Sequence, residues 1–342
     1  MATSGVSRLL YLDAASVADL SQALDPLEIV RETFLAVRAA DAEVGPEAAL
    51  RWTAPDGTAA RSLALPARHR DSYGCKIINA SIGNITRGIP RAHGLIVLFD
   101  PTTAAPICLM EGARISALRT AAVSIVALEA IRSLTTVRRV AFLGCGRQSA
   151  THLDMLSRRT RLEAVAAYDN DKGRATAFVD EVAPLVPDAA VVSAATPHDA
   201  MRGVDVTVAA TTTTTPYVPL DWISEGGVFI NLSLDDATEE LLLGCDHLFV
   251  DDWTLVSGDE TRLLGRLAGA GRVTGPDEAP PEGGRKVDAA LATLLADAYP
   301  RPITPQDRIV VNPFGMGVHD VAMAARVYSM ARGRGAGLHL PR

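Results

Sequence analysis

The 342-residue sequence contains very little lysine. Lysine accounts for only three of its 33 basic residues, namely Lys76, Lys172 and Lys286, and arginine supplies the rest. An ammonium group is a compact charge that fits where a planar guanidinium does not, so a lysine in such a chain calls for a local reason. Each of the three is therefore a candidate for a specific role.

The sequence also lacks long apolar runs and an excess of basic residues. Apolar stretches such as residues 227–234 are of strand length, whereas a membrane-spanning helix needs roughly 18 or more residues. The beginning of the chain shows no apolar signal core, which predicts a cytoplasmic protein without a membrane partner. With 33 basic and 40 acidic residues the net charge is −7, which argues against a nucleic-acid partner.

Cysteine is sparse as well. The four cysteines are far apart, at positions 75, 108, 145 and 245, and none belongs to a Cys-x-x-Cys pair. This spacing predicts reduced thiols, with neither a disulfide framework nor a metal site. The content of 48% apolar and 21% charged residues is typical of a globular protein, and the length suffices for about two domains.

Two patterns of secondary structure follow one another along the chain. The first region opens with a helical pattern at residues 26–40, continues with short strand-like segments and ends with an Ala-rich helix at residues 112–131. From about residue 136 short apolar strands alternate with helices, which predicts an α/β protein with a doubly wound parallel sheet of the Rossmann type. We place this second domain at residues 131–316. The first domain is then α+β and combines residues 1–130 with a C-terminal helix in residues 317–342.

The strongest local motif is a strand, a turn and a helix at residues 140–149. The apolar strand leads into Gly144 and Gly146, and the helix follows at once. The first glycine permits a tight turn, the second lets the backbone approach a pyrophosphate, and the helix N-terminus offers free N–H groups. Ser149 stands near the position of the usual third glycine and is small enough for close helix–strand packing. The motif predicts a nucleotide site.

The choice of nucleotide depends on Asp169, which ends the next predicted strand, 25 positions after Gly144. A carboxylate there binds both hydroxyl groups of an adenosine ribose and repels a 2′-phosphate, which favours NAD over NADP. Lys172 and Arg174 lie close by in the sequence and weaken this preference. NAD is the predicted cofactor and NADP is the alternative.

Three cations stand out in the first region. Arg51 and Lys76 lie on predicted strands, and Arg119 lies on the Ala-rich helix, where it should be partly buried. A buried arginine needs an anionic partner and can bind a carboxylate with two parallel hydrogen bonds. For each cation the alternative is an internal ion pair, or a side chain that merely covers apolar surface.

Five short segments form a pattern that is more specific than any one of them. They are Gly74-x-Lys76 with Asn79, Gly88-Ile-Pro90, residues 95–103, residues 117–122 and Gly144-x-Gly146-x-Gln148. In this order and spacing the chain resembles the ornithine cyclodeaminase/mu-crystallin family of NAD(P)-dependent enzymes over most of its length. Residues 83–92, 233–236 and 313–317 are most similar to its N-(2-amino-2-carboxyethyl)-L-glutamate dehydrogenase branch, the siderophore-type enzymes that form 2,3-diaminopropionate.

The resemblance implies a role for each domain. The first would bind the substrate and form a homodimer, and the second would bind NAD. The substrate α-carboxylate would be bound by Arg51, Lys76 and Arg119, with Asp320 bordering the pocket. The implied catalytic residues are Asp236, close to the substrate amine, and Lys76. The implied cofactor-binding residues are Gly144, Gly146, Arg147, Gln148, Asp169, Thr211, Thr212 and Thr213.

The implied reaction is the NAD-dependent oxidation of an amino acid at Cα to an imine, which is then hydrolysed. The preferred substrate is N-(2-amino-2-carboxyethyl)-L-glutamate, which would give 2,3-diaminopropionate and 2-oxoglutarate. Cyclodeamination of ornithine to proline, or reduction of a ketimine, are alternatives within the family. A non-catalytic, crystallin-like ligand-binding protein is the alternative from another class. Asp235 and His319 depart from the family pattern, and each is a candidate for lining the pocket.

Overall fold

The computed structural model describes residues 8–341, which form two compact units. Unit 1 comprises the described parts of Met1–Arg119 and Met316–Arg342, and unit 2 comprises Thr120–Gly315. The first boundary falls inside a long helix. The predicted α/β class is confirmed, because unit 2 is built on a parallel sheet with helices between its strands. That the first domain binds the substrate and forms a dimer, and that the second binds NAD, stays a prediction.

Unit 1 is built on a mixed sheet of eight strands. Its elements are β1 (Leu9–Leu12), α1 (Ala14–Ser21), α2 (Pro26–Arg38), β2 (Ala42–Val44), β3 (Ala48–Thr53), β4 (Ala59–His69), β5 (Ser72–Ser81), β6 (Ala92–Phe99), β7 (Pro106–Glu111), the start of α3 (Ala113–Ile131), α11 (Gly317–Arg334) and β18 (Leu338–Leu340). The strand order is β18-β1-β7-β6-β5-β4-β2, and β3 also pairs with β4. The β1–β7 pair is parallel, and the other described pairs are antiparallel.

Helix α2 shows how the local sequence sets an element. The side chain of Asp25 accepts hydrogen bonds from the backbone N–H groups of Leu27 and Glu28, and a proline occupies the first turn. Beyond this cap, Val30 and Phe34 are fully buried one turn apart. The helical pattern predicted for this segment is confirmed.

The two faces of the unit 1 sheet have different surroundings. Lys76 is opposite Leu65 in the register, so the two side chains point to the same side. We call this the helix-covered face, because α11 packs on it: a Cβ at Gly317 would lie 2.8 Å from Leu65 Cβ. The other side, the outer face, carries exposed apolar side chains that the described part of the chain leaves uncovered. They are Leu50, Trp52, Tyr73, Ile77 and Leu95.

Unit 2 contains the remaining elements. They are the end of α3, β8 (Arg139–Leu143), α4 (Arg147–Ser157), β9 (Ala164–Tyr168), α5 (Lys172–Val182), β10 (Ala190–Ser193), α6 (Pro197–Met201), β11 (Val206–Ala209), β12 (Val228–Asn231), α7 (Glu239–Gly244), β13 (His247–Val250), α8 (Trp253–Ser257), α9 (Leu263–Gly269), β14 (Val273–Thr274), β15 (Arg285–Lys286), β16 (Ala289–Ala290), α10 (Leu291–Leu295) and β17 (Ile309–Asn312). Eight strands form a sheet in the order β10-β9-β8-β11-β12-β17-β13-β16, with all pairs parallel.

The strand order of unit 2 reverses direction beside β8. The chain runs outward from β8 to β9 and β10, and then returns to β11 on the other side of β8. In sheets of this kind ligands bind outside the carboxyl ends of the strands at this switch point. The central strands β8, β11, β12 and β17 are buried on both faces, which explains their continuous apolar sequences.

Within residues 8–341, no helix combines the length and apolar character needed to cross a membrane. The four cysteines are free thiols.

Candidate functional site

The glycine turn after β8 has the geometry of a pyrophosphate-binding loop. Gly144 has a φ of +89°, and a Cβ there would lie 2.8 Å from the carbonyl oxygen of Ala210. Gly146 caps the N-terminus of α4 without a side-chain hydrogen bond, and a Cβ on it would meet nothing within 4 Å. The first N–H groups of α4 therefore face open space, which suits an anion.

Two side chains hold this loop in place. The Ser149 hydroxyl, fully buried, donates to the Gly144 carbonyl at 2.5 Å and draws α4 onto the end of β8. Asp169 Oδ2 accepts the Cys145 N–H at 2.9 Å, and its Oδ1 accepts the Asp171 N–H at 3.0 Å. The carboxylate predicted to bind the ribose is thus fixed beside the glycine turn. Each of its oxygens keeps a lone pair for a further donor.

The other predicted cofactor residues differ in exposure. Arg147 is exposed in the first turn of α4, whereas Gln148 is partly buried and its Oε1 has no hydrogen-bond partner. Beyond β11, the Thr211 hydroxyl accepts the backbone N–H of Thr213 at 3.1 Å, and Thr212 is exposed. All of these residues lie at the carboxyl edge of the unit 2 sheet, where a dinucleotide would be bound.

Asp236 is a carboxylate at this edge with no exposed surface. Its Oδ1 accepts the Thr211 hydroxyl at 2.8 Å, its Oδ2 accepts the Ser233 hydroxyl, and the Tyr217 hydroxyl also bonds to it. Among the described residues no lysine, arginine or histidine forms an ion pair with it. We call these four residues the hydroxyl cluster.

The surroundings of Asp236 change its acidity. Burial raises the pKa of the carboxyl above its ordinary value, although the three hydroxyl hydrogen bonds act in the opposite direction. The negative charge of Asp235 raises it further. A carboxyl with a raised pKa, held by donors that can rotate, can both accept and return a proton.

Asp235 has a structural task instead. It is buried, and its Oδ1 accepts the Leu263 N–H at 2.6 Å while its Oδ2 meets the Arg266 guanidinium at 2.9 Å. Asp235 therefore ties the loop after β12 to the start of α9. The negative charge that this departure from the family pattern introduces is balanced by Arg266.

Unit 1 brings together three of the charged residues singled out from the sequence. Lys76 Nζ lies 2.9 Å from Asp320 Oδ1, and Arg119 Nε lies 3.2 Å from Asp320 Oδ2. Lys76 and Asp320 are fully buried, and Arg119 is 13% exposed. Lys76 also donates a 2.8 Å hydrogen bond to the Ser116 hydroxyl on α3. We call Lys76, Arg119 and Asp320 the ion cluster, and it carries one net positive charge.

The ion cluster strongly affects its lysine. Burial lowers the pKa of Lys76 to about 8, with the charge of Asp320 raising it and that of Arg119 lowering it. The lysine is therefore an ammonium ion below about pH 8 and can help to bind an anion there. Arg119, the member with exposed surface, is placed to meet a carboxylate directly.

Arg51 lies apart from the ion cluster. It is exposed on β3 and lies opposite Arg61 of β4. Arg61 is four residues along β4 from Leu65, the residue that pairs with Lys76.

His319 is buried edge-on against the Phe34 ring, with centroids 4.5 Å apart, and burial lowers its pKa to about 3. A neutral histidine on this apolar ring is a core residue, which differs from the expected place in a pocket lining.

Sequence reasoning assigned no role to Ser116, Tyr217 or Ser233. The Ser116 hydroxyl bonds Lys76, and the hydroxyls of Tyr217 and Ser233 bond Asp236. Hydroxyl residues are frequent in proteins, and Ser116 and Tyr217 lie far in sequence from the side chains that they contact. Ser233 is only three residues from Asp236. Its place directly after a buried strand, at the edge where ligands bind, is the signal that could have found it.

Comparison with known proteins agrees with the predicted family. The model of the ornithine cyclodeaminase/mu-crystallin family matches residues 11–335. The N-((2S)-2-amino-2-carboxyethyl)-L-glutamate dehydrogenase of Staphylococcus aureus (strain NCTC 8325 / PS 47) is 29% identical over 285 residues, 82% of this chain and 82% of that protein. The crystal structure of CmnK has a TM-score of 0.87 at 32% identity and covers 98% of both chains. An archaeal alanine dehydrogenase dimer with bound NAD has a TM-score of 0.82 at 21% identity, over 97% of this chain and 99% of that one.

Proposed function

The chain belongs to the ornithine cyclodeaminase/mu-crystallin family, and we propose that it oxidises an amino acid at Cα to an imine, with NAD as cofactor, and then hydrolyses the imine. The observation that carries this proposal is Asp236, a fully buried carboxyl held by hydroxyl groups at the edge of a dinucleotide-binding sheet. The substrate that we propose is N-(2-amino-2-carboxyethyl)-L-glutamate, in keeping with the name of the S. aureus relative.

The cofactor is held by the glycine turn, the N-terminus of α4 and Asp169. Gly144 and Gly146 leave the backbone accessible to a pyrophosphate, and Asp169 offers its free lone pairs to the ribose. The carboxylate of Asp169 beside the glycine turn supports NAD over NADP, because it would repel a 2′-phosphate. Lys172 and Arg174 are exposed in the first turn of α5 and are the cations available to a 2′-phosphate, so NADP is the alternative. Bound NAD supplies the hydride acceptor for the substrate Cα–H.

The ion cluster would bind the substrate α-carboxylate. Arg119 would make two parallel hydrogen bonds to it, and the buried Lys76 would add a compact positive charge. Asp320 holds both cations in position and reduces their mutual repulsion. A fixed carboxylate orients the adjacent Cα–H, which is the main contribution that positioning makes to hydride transfer.

Asp236 would carry the protons. As a carboxylate it takes a proton from the substrate ammonium group, so that the nitrogen lone pair can form the C=N bond as the hydride leaves Cα. In the hydrolytic half, water attacks the imine carbon and Asp236 relays a proton from the water to the departing nitrogen. The Thr211 and Ser233 hydroxyls keep the carboxyl oriented in both protonation states.

The substrate is tested by incubating the protein with NAD⁺ and one amino acid at a time while NADH absorbance is followed. We expect net NADH, 2,3-diaminopropionate and 2-oxoglutarate from the glutamate adduct. Ammonia and proline from ornithine, without net NADH, would identify a cyclodeaminase instead. Binding of NAD without turnover of any substrate would point to a non-catalytic protein.

We also propose a homodimer formed through the outer face of the unit 1 sheet. Leu50 is 66% exposed, Trp52 44% and Leu95 41%, and they share this face with Tyr73 and Ile77. Several exposed apolar residues on one face of a sheet indicate a contact with another protein surface. The proposal is tested by Leu50→Glu and Ile77→Glu, which should shift the sedimentation coefficient from dimer to monomer. Leu185→Glu, an exposed leucine of unit 2, is the control.

A further inference from the structure

The Ser233 hydroxyl has two acceptors within reach of its single hydrogen. Its Oγ donates to Oδ2 of Asp236, and it also lies 3.0 Å from the carbonyl oxygen of Ala209. The hydrogen can point to only one of these acceptors at a time. Of the two lone pairs on the same oxygen, one accepts the Thr211 N–H at 3.1 Å. The other lone pair is left to accept a hydrogen bond when the hydrogen points to Ala209.

The Ala209 carbonyl has donors whichever way this hydroxyl points. It ends β11 and accepts the backbone N–H groups of Leu232 at 3.0 Å and of Ser233 at 3.2 Å. A buried acceptor that loses its only donor costs free energy, but this carbonyl keeps two donors. The serine hydroxyl can therefore turn to Asp236 and back without leaving the carbonyl unsatisfied.

Two hydrogen-bond arrangements follow, one for each form of Asp236. When Asp236 is a carboxylate, the serine hydrogen points to Oδ2. When Oδ2 carries a proton, the new O–H donates to Ser233 Oγ, and the serine hydrogen turns to the Ala209 carbonyl. Each hydrogen then has an acceptor in both arrangements, which a carboxyl with no exposed surface requires.

The Thr211 hydroxyl does not have this freedom. It donates to Oδ1 of Asp236 at 2.8 Å and accepts the Thr213 N–H at 3.1 Å. In the part of the chain that the structure describes, it forms no hydrogen bond to a second acceptor. A proton on Oδ1 would therefore face the threonine hydrogen, and one of the two hydrogens would lose its partner. The hydrogen bonds favour Oδ2 as the oxygen that takes the proton.

Among the described residues, the titratable neighbours that act on Asp236 are an acid and a phenol. The acid, Asp235, raises the pKa of the Asp236 carboxyl, and its own Oδ2 is paired with Arg266 at 2.9 Å. Burial raises the pKa of the Tyr217 hydroxyl, and the charge of Asp236 raises it further, so the phenol stays a neutral donor. The balance between the two forms of Asp236 therefore depends on the hydroxyls that bond to it.

We propose that Ser233 is a positioning residue that acts as a hydrogen-bond switch: it donates to the Asp236 carboxylate, accepts from the Asp236 acid, and so holds the transferred proton on Oδ2. Ser233 neither gains nor loses a proton, because only the direction of its O–H bond changes. The inference rests on the proposed function for the use that is made of this proton. The two arrangements themselves exist without turnover, so they can be measured apart from the reaction.

The test follows the protonation of Asp236 at equilibrium, in protein loaded with NAD⁺. Infrared difference spectra between acid and neutral pH show the carbonyl stretch of protonated carboxyls, and the band of Asp236 is the one that Asp236→Asn removes. Thr211→Val deletes a hydroxyl that only donates and that stabilises the ionised form most, so the midpoint should rise by about one pH unit. Ser233→Ala deletes one hydrogen bond from each form, so the midpoint should rise by less than about half a unit.

The position of this band is the second readout. In the wild type the carboxyl O–H is donated to Ser233, whereas in Ser233→Ala it has lost this acceptor, so the band should shift. Ser233→Thr keeps a hydroxyl and should restore the band position and the midpoint of the wild type. Ser233→Cys carries a thiol that is a weak donor and a weak acceptor. It should resemble Ser233→Ala, and it takes its place if the alanine variant does not fold.

Two results would overturn the switch. One is a midpoint that rises as far in Ser233→Ala as in Thr211→Val, and the other is a band that Ser233→Ala leaves in place. The reaction is judged separately, by the formation of NADH from the glutamate adduct. Net NADH together with either of these two results would keep the reaction and remove the switch. The expected spectra without oxidation of any amino acid would keep the switch and remove the reaction.

Discussion

Lys76 in unit 1 and Asp236 in unit 2 are both buried, but their charges are stabilised in opposite ways. In unit 1, Lys76 faces a carboxylate at 2.9 Å, so charge is balanced by charge. In unit 2, Asp236 is equally buried, yet its partners are the neutral hydroxyls of Thr211, Ser233 and Tyr217. Lys76 keeps its charge below about pH 8, whereas the hydroxyl cluster can serve either form of its carboxyl.

This difference matches two different tasks. Binding a carboxylate requires a positive charge that is present throughout the working pH range, and a partly neutralised pair of cations provides it. Transfer of a proton requires a group whose two states are close in free energy, and a buried carboxyl without a cation provides that. We therefore expect each cluster to depend on its own kind of partner.

The largest effect is expected from Asp236→Asn. The amide cannot accept the proton, so we expect kcat to fall by about 10²- to 10⁴-fold, the usual contribution of a general acid–base group. Calorimetric affinity for NADH should be unchanged. Glu240→Gln is the control, since Glu240 belongs to the same acidic stretch but is exposed. A variant that kept wild-type kcat would remove Asp236 from the mechanism.

The second prediction compares how much the loss of the carboxylate in each cluster lowers the free energy of unfolding. Asp320→Asn leaves two cations uncompensated in the interior, which should cost about 3–5 kcal/mol in the free energy of unfolding measured with urea. Asp236→Asn removes a carboxylate that no cation balances, so its cost should remain within about 1 kcal/mol. Glu32→Gln is the surface control, because it breaks an exposed ion pair with Arg326. Similar costs at Asp320 and Asp236 would contradict the comparison.

Arg119→Ala should act on binding rather than on chemistry. Loss of a charge-assisted clamp on the α-carboxylate should raise KM by about 10- to 100-fold, with a smaller change in kcat. Arg114→Ala, an exposed arginine earlier on the same helix, is the matched control. Wild-type kinetics for Arg119→Ala would show that the ion cluster binds something other than the substrate.

The same contrast explains what the sequence could reveal. The alternation of strands and helices predicts unit 2 because its central strands are buried on both faces and must be apolar. Two-residue strands such as β14 and β16 carry no such pattern. Lys76 stood out because lysine is rare. The acids of residues 235–240 look alike in sequence, and only the fold shows that Asp235 meets Arg266 while Asp236 meets hydroxyls.

The smallest effect is a pH dependence that should distinguish the clusters at opposite ends of the pH range. Lys76 loses its proton as the pH rises through about 8, so KM should be constant below this value and rise above it, approaching tenfold per pH unit if its charge is essential. Because the Asp320 charge raises the pKa of Lys76, Asp320→Asn should move the midpoint of this rise to lower pH, and Glu32→Gln should not.

At the acidic end, the raised pKa of Asp236 means that its carboxylate is lost on acidification at a higher pH than for an ordinary aspartate. The fall in kcat should therefore begin at that higher pH, and it should be unaffected by Asp320→Asn if the two clusters titrate independently. One midpoint for both limbs, or a common shift in both, would show that they titrate as a single group.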